Sequence, residues 1–143
     1  MKLSFKVIGL TLTLIIFAGV LVGCGDNNPG IPDQALEDAT AEIERYDIVR
    51  DTLIEIDEDG STDIVLTILV DYGTTEEKAK ELGDSFVRLL ASFSAVYNSE
   101  SESPTRDSIG SLYDDYSVSV IVSPDADNAI AGSNVGSRYI RWH

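Results

Sequence analysis

An uncharged apolar run near the start of the chain divides it into two parts of different character. Residues 7–23, VIGLTLTLIIFAGVLVG, contain no charged side chain, and Lys2 and Lys6 precede them. Cys24, the only cysteine among 143 residues, follows the run directly. One cysteine cannot form an intramolecular disulfide, so the part after it must be stabilised by its apolar core. A domain of about 120 residues is large enough for this, because it buries roughly two thirds of its unfolded surface.

The apolar run is open to three interpretations. As a membrane anchor, its 17 residues are at the short limit of what crosses a bilayer. As a cleaved secretory signal, it has a basic start and an apolar centre but lacks an A-x-A cleavage site. The third interpretation comes from Leu21-Val22-Gly23-Cys24, which resembles the lipobox of prokaryotic lipoprotein precursors. The lipobox has an aliphatic residue, a small or aliphatic residue, Gly or Ala, and an invariant Cys; the resemblance covers only about the first 25 residues.

The resemblance implies that a diacylglyceryl group is transferred to the Cys24 thiol and that the chain is cleaved before Cys24. Residues 1–23 would then be a lipoprotein signal peptide, residues 24–32 a lipid-anchored tether, and residues 33–143 a single acidic domain. The Gly, Asn and Pro residues of the tether would end any continuing helix. We expect the domain to be exported. Two acyl chains are enough for stable anchoring, so we also expect it to be held at the outer face of the cell membrane.

The exported part is strongly acidic. All 25 acidic residues lie at or after Asp26, whereas two of the ten basic residues precede Cys24, so residues 24–143 have a formal net charge of −17. Such a surface repels nucleic acid, whose binding requires Lys and Arg, and it also repels anionic lipid headgroups. Cationic partners and metal ions are compatible with it. A solvated acidic surface that keeps the domain soluble is the simplest interpretation.

Hydrophobic periodicity predicts two helices, each followed by two strands. The first helix runs from Asp33 to about Tyr46, and a capping box with Thr74 as N-cap and Glu77 at N3 opens the second. Three of the predicted strands cover about 48–56, 63–71 and 112–123. The fourth lies within 130–142, where either Gly132 or Gly136 can mark a bulge. The αββαββ order predicts a two-layer α+β domain, with an antiparallel four-stranded sheet and the helices on one face.

Two further expectations concern individual segments. The near-continuous Ile, Val and Leu run in 63–71 predicts a central strand that is buried on both faces, or largely so. Residues 99–111 are rich in serine and charge and have no periodicity, which predicts a mobile loop.

The sequence predicts no catalytic residue. His143, the only histidine, is the last residue, where neighbours are poorly placed to orient it as a general base or in a triad. Asp114 and Asp115 are adjacent carboxylates in a predicted strand, so they point to opposite faces and do not form a facing pair. An enzyme would need a concave pocket with a carboxyl group of raised pKa.

No metal site is predicted either. The segment Asp57–Asp63 superficially resembles a calcium loop, but Gly60 is at its fourth position, whereas the EF-hand pattern requires Gly at the sixth. A hairpin turn explains it better, because Asp-Gly favours such turns. The segment Ser123–Asn128, with Asp125 and Asp127, has the composition of an ordinary polar turn.

These observations predict a membrane-anchored lipoprotein with a non-enzymatic binding or interaction role, with Cys24 as the site of lipid attachment. We expect no cofactor and no nucleic-acid partner, and a protein of the cell envelope is a candidate partner. The main alternative is a Ca²⁺-responsive module whose acidic turns bind the ion, and a small hydrolase is a weaker one. A binding module would expose an apolar or aromatic patch, for which Tyr139 and Trp142 are candidates, although an edge strand with a frayed end is the simpler interpretation of these two residues.

Overall fold

The computed structural model of the protein describes residues 31–57, 62–136 and 139–143. The predicted signal peptide, Cys24 and nearly all of the tether lie outside the described residues. The centre of the acidic segment Asp57–Asp63 also lies outside them.

The described residues form three helices and five strands. In chain order they are α1 (Asp33–Ile43), β1 (Val49–Ile56), β2 (Asp63–Val70), α2 (Glu76–Tyr97), α3 (Leu112–Asp115), β3 (Ser117–Ser123), β4 (Ala131–Gly136) and β5 (Tyr139–Trp142). All five strands belong to one sheet, in the order β1-β2-β3-β4-β5. The α+β class is therefore confirmed, with a sheet that differs in detail from the predicted one.

The sheet is mixed, so the prediction that it is wholly antiparallel is wrong. β2 and β3 are parallel, with Leu66 beside Val120, while the other three pairs of neighbours are antiparallel. The reason is the connection between them. α2 has 22 residues, which span about 33 Å at 1.5 Å per residue, so it returns the chain to the end of the sheet where β2 began. A strand that starts there must run parallel to β2.

The prediction of four strands is also wrong, because the segment 130–142 forms two strands. β4 and β5 pair in antiparallel fashion, with Val135 beside Ile140 and Gly136 beside Tyr139. Gly136 therefore ends a strand before the chain reverses, and it does not mark a bulge within one continuous strand. Gly and Ser are common where a chain turns, and the sequence Gly136-Ser137 carries this signal.

The core lies between the helices and one face of the sheet. α2 buries Leu82, Phe86 and Leu90 completely or nearly so, and α1 buries Ala35, Ala39 and Ile43. On the sheet, the fully buried aliphatic side chains alternate along the two central strands: Ile64, Leu66, Ile68 and Val70 in β2, and Val118, Val120 and Val122 in β3. Alternation of this kind is typical of a sheet with only one covered face.

Three local details differ from the sequence predictions. Thr75, and not Thr74, is the N-cap of α2, and its side chain accepts a hydrogen bond from the Lys78 N–H at 3.3 Å. The Thr74 hydroxyl instead donates to the Asp71 carbonyl at 2.8 Å, which closes the turn after β2. Asp114 and Asp115 lie on the short helix α3 and not on a strand.

The loop 99–111, predicted to be mobile, is held against α2 through two of its backbone carbonyls. Arg88 of α2 donates through Nη1 to the carbonyls of Thr105, at 2.7 Å, and Ser108, at 3.2 Å. The side chain of Ile109 is buried, and Gly110 has a positive φ of 94°. One apolar anchor and one arginine therefore fix a segment whose composition resembles that of a flexible linker.

None of the described helices combines the length and the apolar composition that crossing a membrane requires.

Candidate interaction surface

Within residues 31–57, 62–136 and 139–143, no helix packs on one of the two faces of the sheet. We call this surface the open face and define it by the alternate side chains that point away from the core. These are Asp51, Leu53 and Glu55 of β1, Asp63, Val65, Thr67 and Leu69 of β2, Ser117, Ser119 and Ile121 of β3, Gly132 and Asn134 of β4, and Tyr139 and Arg141 of β5.

The middle of the open face is aliphatic. Leu53 is 52% exposed and Ile121 is 37% exposed, and the register places both in one cross-strand row with Thr67 between them. Val65 and Leu69 of β2 lie on either side of this row and are half-buried. A solvated sheet face is normally polar, so an aliphatic centre of this kind is typical of a surface that another molecule covers.

The same observation corrects the expectation for β2. Its Ile, Val and Leu run predicted burial on both faces, yet Val65 and Leu69 are only half-buried, whereas Ile64, Leu66 and Ile68 are buried beneath the helices. Within the described residues, nothing covers the second face of this strand. The sequence of β2 is thus more apolar than its surroundings in the single chain require.

The two edges of the open face carry opposite charge. Asp51 and Glu55 lie on the β1 edge, and Arg141 lies on the β5 edge. The register places Glu55 beside Val65, Val65 beside Ser119, Ser119 beside Asn134, and Asn134 beside Arg141. Glu55 and Arg141 therefore end the same cross-strand row at opposite edges of the sheet.

Arg141 and Arg106 are the two cationic side chains of the described part of the chain that form no ion pair with a described carboxylate. Ion pairs with carboxylates involve Arg45, Arg50, Lys78, Lys80 and Arg88. Arg141 instead lies over the ring of Tyr139, with 5.3 Å between the guanidinium carbon and the ring centroid, and donates to the Tyr139 hydroxyl at 3.1 Å. This hydrogen bond and the positive charge lower the pKa of Tyr139. Arg141 is thus positioned on the open face by an aromatic neighbour and has no carboxylate partner among the described residues.

Tyr139 and Trp142, which the sequence suggests as one patch, lie on opposite faces. Residues three positions apart in a strand point to opposite sides. Tyr139 is 57% exposed on the open face, whereas Trp142 is half-buried and packs over Gly83 of α2. Only Tyr139 belongs to the candidate surface.

A shallow groove of about 590 Å³ lies along α2 on the other side of the domain. Its lining includes Tyr46, Trp142 and charged residues of α2. Lys78 Nζ lies 2.9 Å from Glu81 Oε2 and 5.9 Å from the centroid of the Tyr46 ring. Most charges of this groove are paired along the helix, Lys78 with Glu81, Lys80 with Glu76 and Asp84 with Arg88, whereas Glu77 has no such pair among the described residues.

The carboxylate of Asp125 stabilises the turn Ser123–Asn128 by accepting hydrogen bonds. Asp125 Oδ1 accepts hydrogen bonds from Asn128 Nδ2 at 2.7 Å and from the Asp127 N–H at 3.0 Å, and Asp125 Oδ2 accepts one from the Tyr72 hydroxyl at 3.0 Å. These bonds hold the pKa of Asp125 below its usual range. Arg50 closes the same end of the sheet by donating to the Val70 carbonyl at 3.0 Å and to the Pro124 carbonyl.

The remaining residues singled out from the sequence do not converge. His143 is exposed, and its Nε2 lies 3.4 Å from Asn134 Nδ2. Asp114 and Asp115 are exposed on α3. In the described ranges, no group of three or more His, Cys, Asp or Glu side chains is placed to hold a metal ion. Cys24 lies outside the described residues.

Comparison of the chain with known protein families, with curated proteins and with solved structures finds no match.

The open face is not predicted from the sequence, because the apolar run of β2 indicates a strand that is covered on both faces. The signal was present in the neighbouring strands. Leu53 lies between Thr52 and Ile54, and Ile121 lies between Val120 and Val122, so each strand has apolar residues on both faces where strict alternation would place a polar one.

Proposed function

We propose that the protein is a lipoprotein whose folded domain is anchored by Cys24 at the outer face of the cell membrane. Two features of the sequence support the anchor: the lipobox Leu21–Cys24 and its position directly after a basic start and an uncharged apolar run. The lone cysteine fits this role, because a sulfur that carries lipid needs no disulfide partner.

We also propose that the domain acts by binding another macromolecule and not by catalysis. The observation that carries this proposal is the aliphatic centre of the open face, with Leu53 and Ile121 exposed in a sheet that the described helices cover on one side only. Among the described residues, the carboxyl groups whose pKa is shifted are Glu76 and Asp125, and the pKa of both is lowered. A carboxyl that serves as a general acid near neutral pH needs the opposite shift.

Intact-mass analysis of the protein extracted from membranes tests the anchor. We expect a chain that begins at Cys24 and carries the mass of its acyl groups. The Cys24→Ala variant should retain residues 1–23, because the thiol that accepts the diacylglyceryl group is absent. Gly25→Ala is the matched control, since it leaves Leu21–Cys24 intact and should be processed like the wild type. A wild-type chain with residues 1–23 attached and an unmodified Cys24 would overturn the anchor proposal.

A further inference from the structure

We infer that the open face binds the open face of a second copy of this chain, as a two-fold symmetric pair of sheets packed face to face. The inference rests on the proposed binding role of this face, but it does not depend on the lipid anchor. It names the partner as an identical chain, and three properties of the surface lead to that choice.

One pair of charges on the open face, Glu55 and Arg141, is complementary to the same pair when the face is turned around. A two-fold axis that runs between two sheets, roughly parallel to their strands, places β1 of one copy over β5 of the other. Glu55 and Arg141 end one cross-strand row. The axis therefore brings Glu55 of each copy to Arg141 of the other, and the contact is made twice. The Arg141 side chain is long enough to accommodate the angle of about 30° at which aligned sheets pack.

The centre of the open face has the shape and composition of a sheet interface. Ser119 lies on β3, the middle strand of the five, and so falls near the axis. The short side chains of Ser119 and Ser117 and the absence of a side chain at Gly132 allow two sheets to approach to the separation of about 10 Å that packed sheets adopt. Leu53 and Ile121 then enter the space between the sheets, and β2 becomes buried on both faces, as its sequence predicts.

The size of the open face suits a weak dimer. Five strands spaced by about 4.8 Å, each of about seven residues, give a face of roughly 550 Å², so two copies cover on the order of 1,100 Å². This is at the lower end of specific interfaces.

Pairing through the edge of β1 is less favourable than pairing through the face. The Asp51 carboxylate accepts a hydrogen bond from the Thr52 N–H at 2.9 Å, and the β1 register shifts between Val49 and Asp51. The Thr52 N–H is therefore already hydrogen-bonded to a side chain, and the register of β1 is irregular. Both features obstruct the addition of a further strand at this edge.

Cysteine cross-linking of the full chain in membranes tests the dimer. We would introduce Ser119→Cys near the proposed axis and, as a control, Ser99→Cys, which is exposed at the end of α2. With a short bis-maleimide, Ser119→Cys should yield a product of twice the chain mass, whereas Ser99→Cys should yield at most a fifth as much. Ser99 is the more exposed residue, so random collision favours the control. No cross-link through Ser119→Cys, equal cross-linking of both variants, or a product with a different protein would overturn the inference.

Charge exchange in the Ser119→Cys background tests the Glu55–Arg141 contact. Glu55→Arg and Arg141→Glu should each lower the cross-linked fraction at least fivefold, and the double variant should restore it. Glu55→Arg also makes the acidic chain less negative, which by itself would increase association, so a decrease identifies the local contact. Glu100→Arg, with the same change in charge but in the loop after α2, should leave the fraction unchanged. The inference would be overturned if either single variant left the cross-linked fraction unchanged, or if the double variant did not restore it.

The wild-type chain separates the two proposals. Its only thiol is Cys24, so cross-linking of the wild type would reveal a free Cys24 and contradict the anchor. The dimer would still be judged by the difference between Ser119→Cys and Ser99→Cys.

Discussion

The buried hydroxyl of Tyr113 makes the stability of the domain sensitive to alkaline pH. Tyr113 is buried beneath α2, and its hydroxyl donates to the Val87 carbonyl at 2.5 Å. Burial raises the pKa of Tyr113 well above the usual value for tyrosine. In the unfolded chain the phenol ionises near pH 10, whereas in the folded domain it stays neutral. The contribution of Tyr113 to stability is therefore fully present below pH 10 and is lost as the pH rises above it.

We expect the free energy of unfolding to fall between pH 10 and pH 11.5 and the Tyr113→Phe variant to show a smaller fall. At pH 7 the variant should be less stable by about 1 kcal/mol, because the Val87 carbonyl loses a hydrogen bond. Urea denaturation at a series of pH values measures both effects. Tyr139→Phe is the control, since the pKa of Tyr139 is lowered and that residue cannot cause an alkaline loss. If both variants reduced the alkaline fall in the free energy of unfolding equally, burial of Tyr113 would not be its cause.

At the scale of elements, one glycine sets how closely α2 approaches β5. A Cβ at Gly83 would lie 2.4 Å from Cη2 of Trp142 and 3.1 Å from Cγ1 of Val120. Gly83→Ala should therefore destabilise the domain by about 1–2 kcal/mol, because overpacking outweighs the gain in helix propensity. Trp142 is the only tryptophan, so a change in its fluorescence would report the displaced ring directly.

Gly83→Ala should no longer destabilise the domain when the side chain at position 142 is shorter than that of tryptophan. Cη2 is at the far end of the indole, and a phenylalanine at position 142 does not reach it. In the Trp142→Phe background we expect Gly83→Ala to be neutral or stabilising by up to about 1 kcal/mol, from helix propensity alone. Chemical denaturation of the four chains of this cycle gives the coupling free energy. Equal losses in both backgrounds would place the strain at Val120 instead.

The elements that the sequence predicts well are those whose signal is local. The apolar stripe of α2, which includes Leu82, Phe86 and Leu90, identifies the helix from spacing alone. The direction of β3 beside β2 depends on how far α2 carries the chain, and periodicity contains no such information. The division of 130–142 into two strands also depends on pairing between segments, because Val135 is defined as a strand residue by Val118 on one side and Ile140 on the other.

At the scale of the whole molecule, the candidate surface was harder to predict than the fold class. The fold class follows from the order of helices and strands. The periodicity of each segment indicates, independently of the others, whether it is a helix or a strand. The open face exists only because α1 and α2 lie on the same side of the sheet and leave the other side uncovered. Its charged row joins Glu55 to Arg141, residues 86 positions apart that are related only through the registers of four strand pairs. No pattern along the sequence reports such a relation.

The acidic charge of the whole chain leads to a last prediction, which concerns cations. A net charge of −17 on residues 24–143 opposes the compact state by self-repulsion, so added salt should raise the melting temperature by a few degrees. At matched ionic strength, we expect millimolar CaCl₂ and MgCl₂ to raise it equally. A specific calcium site requires six to eight oxygen ligands, and the Asp125 carboxylate already accepts hydrogen bonds on both oxygens. A rise specific to Ca²⁺ would favour the Ca²⁺-responsive module over simple screening. If Asp125→Asn abolished that rise, the ion would bind at the turn Ser123–Asn128.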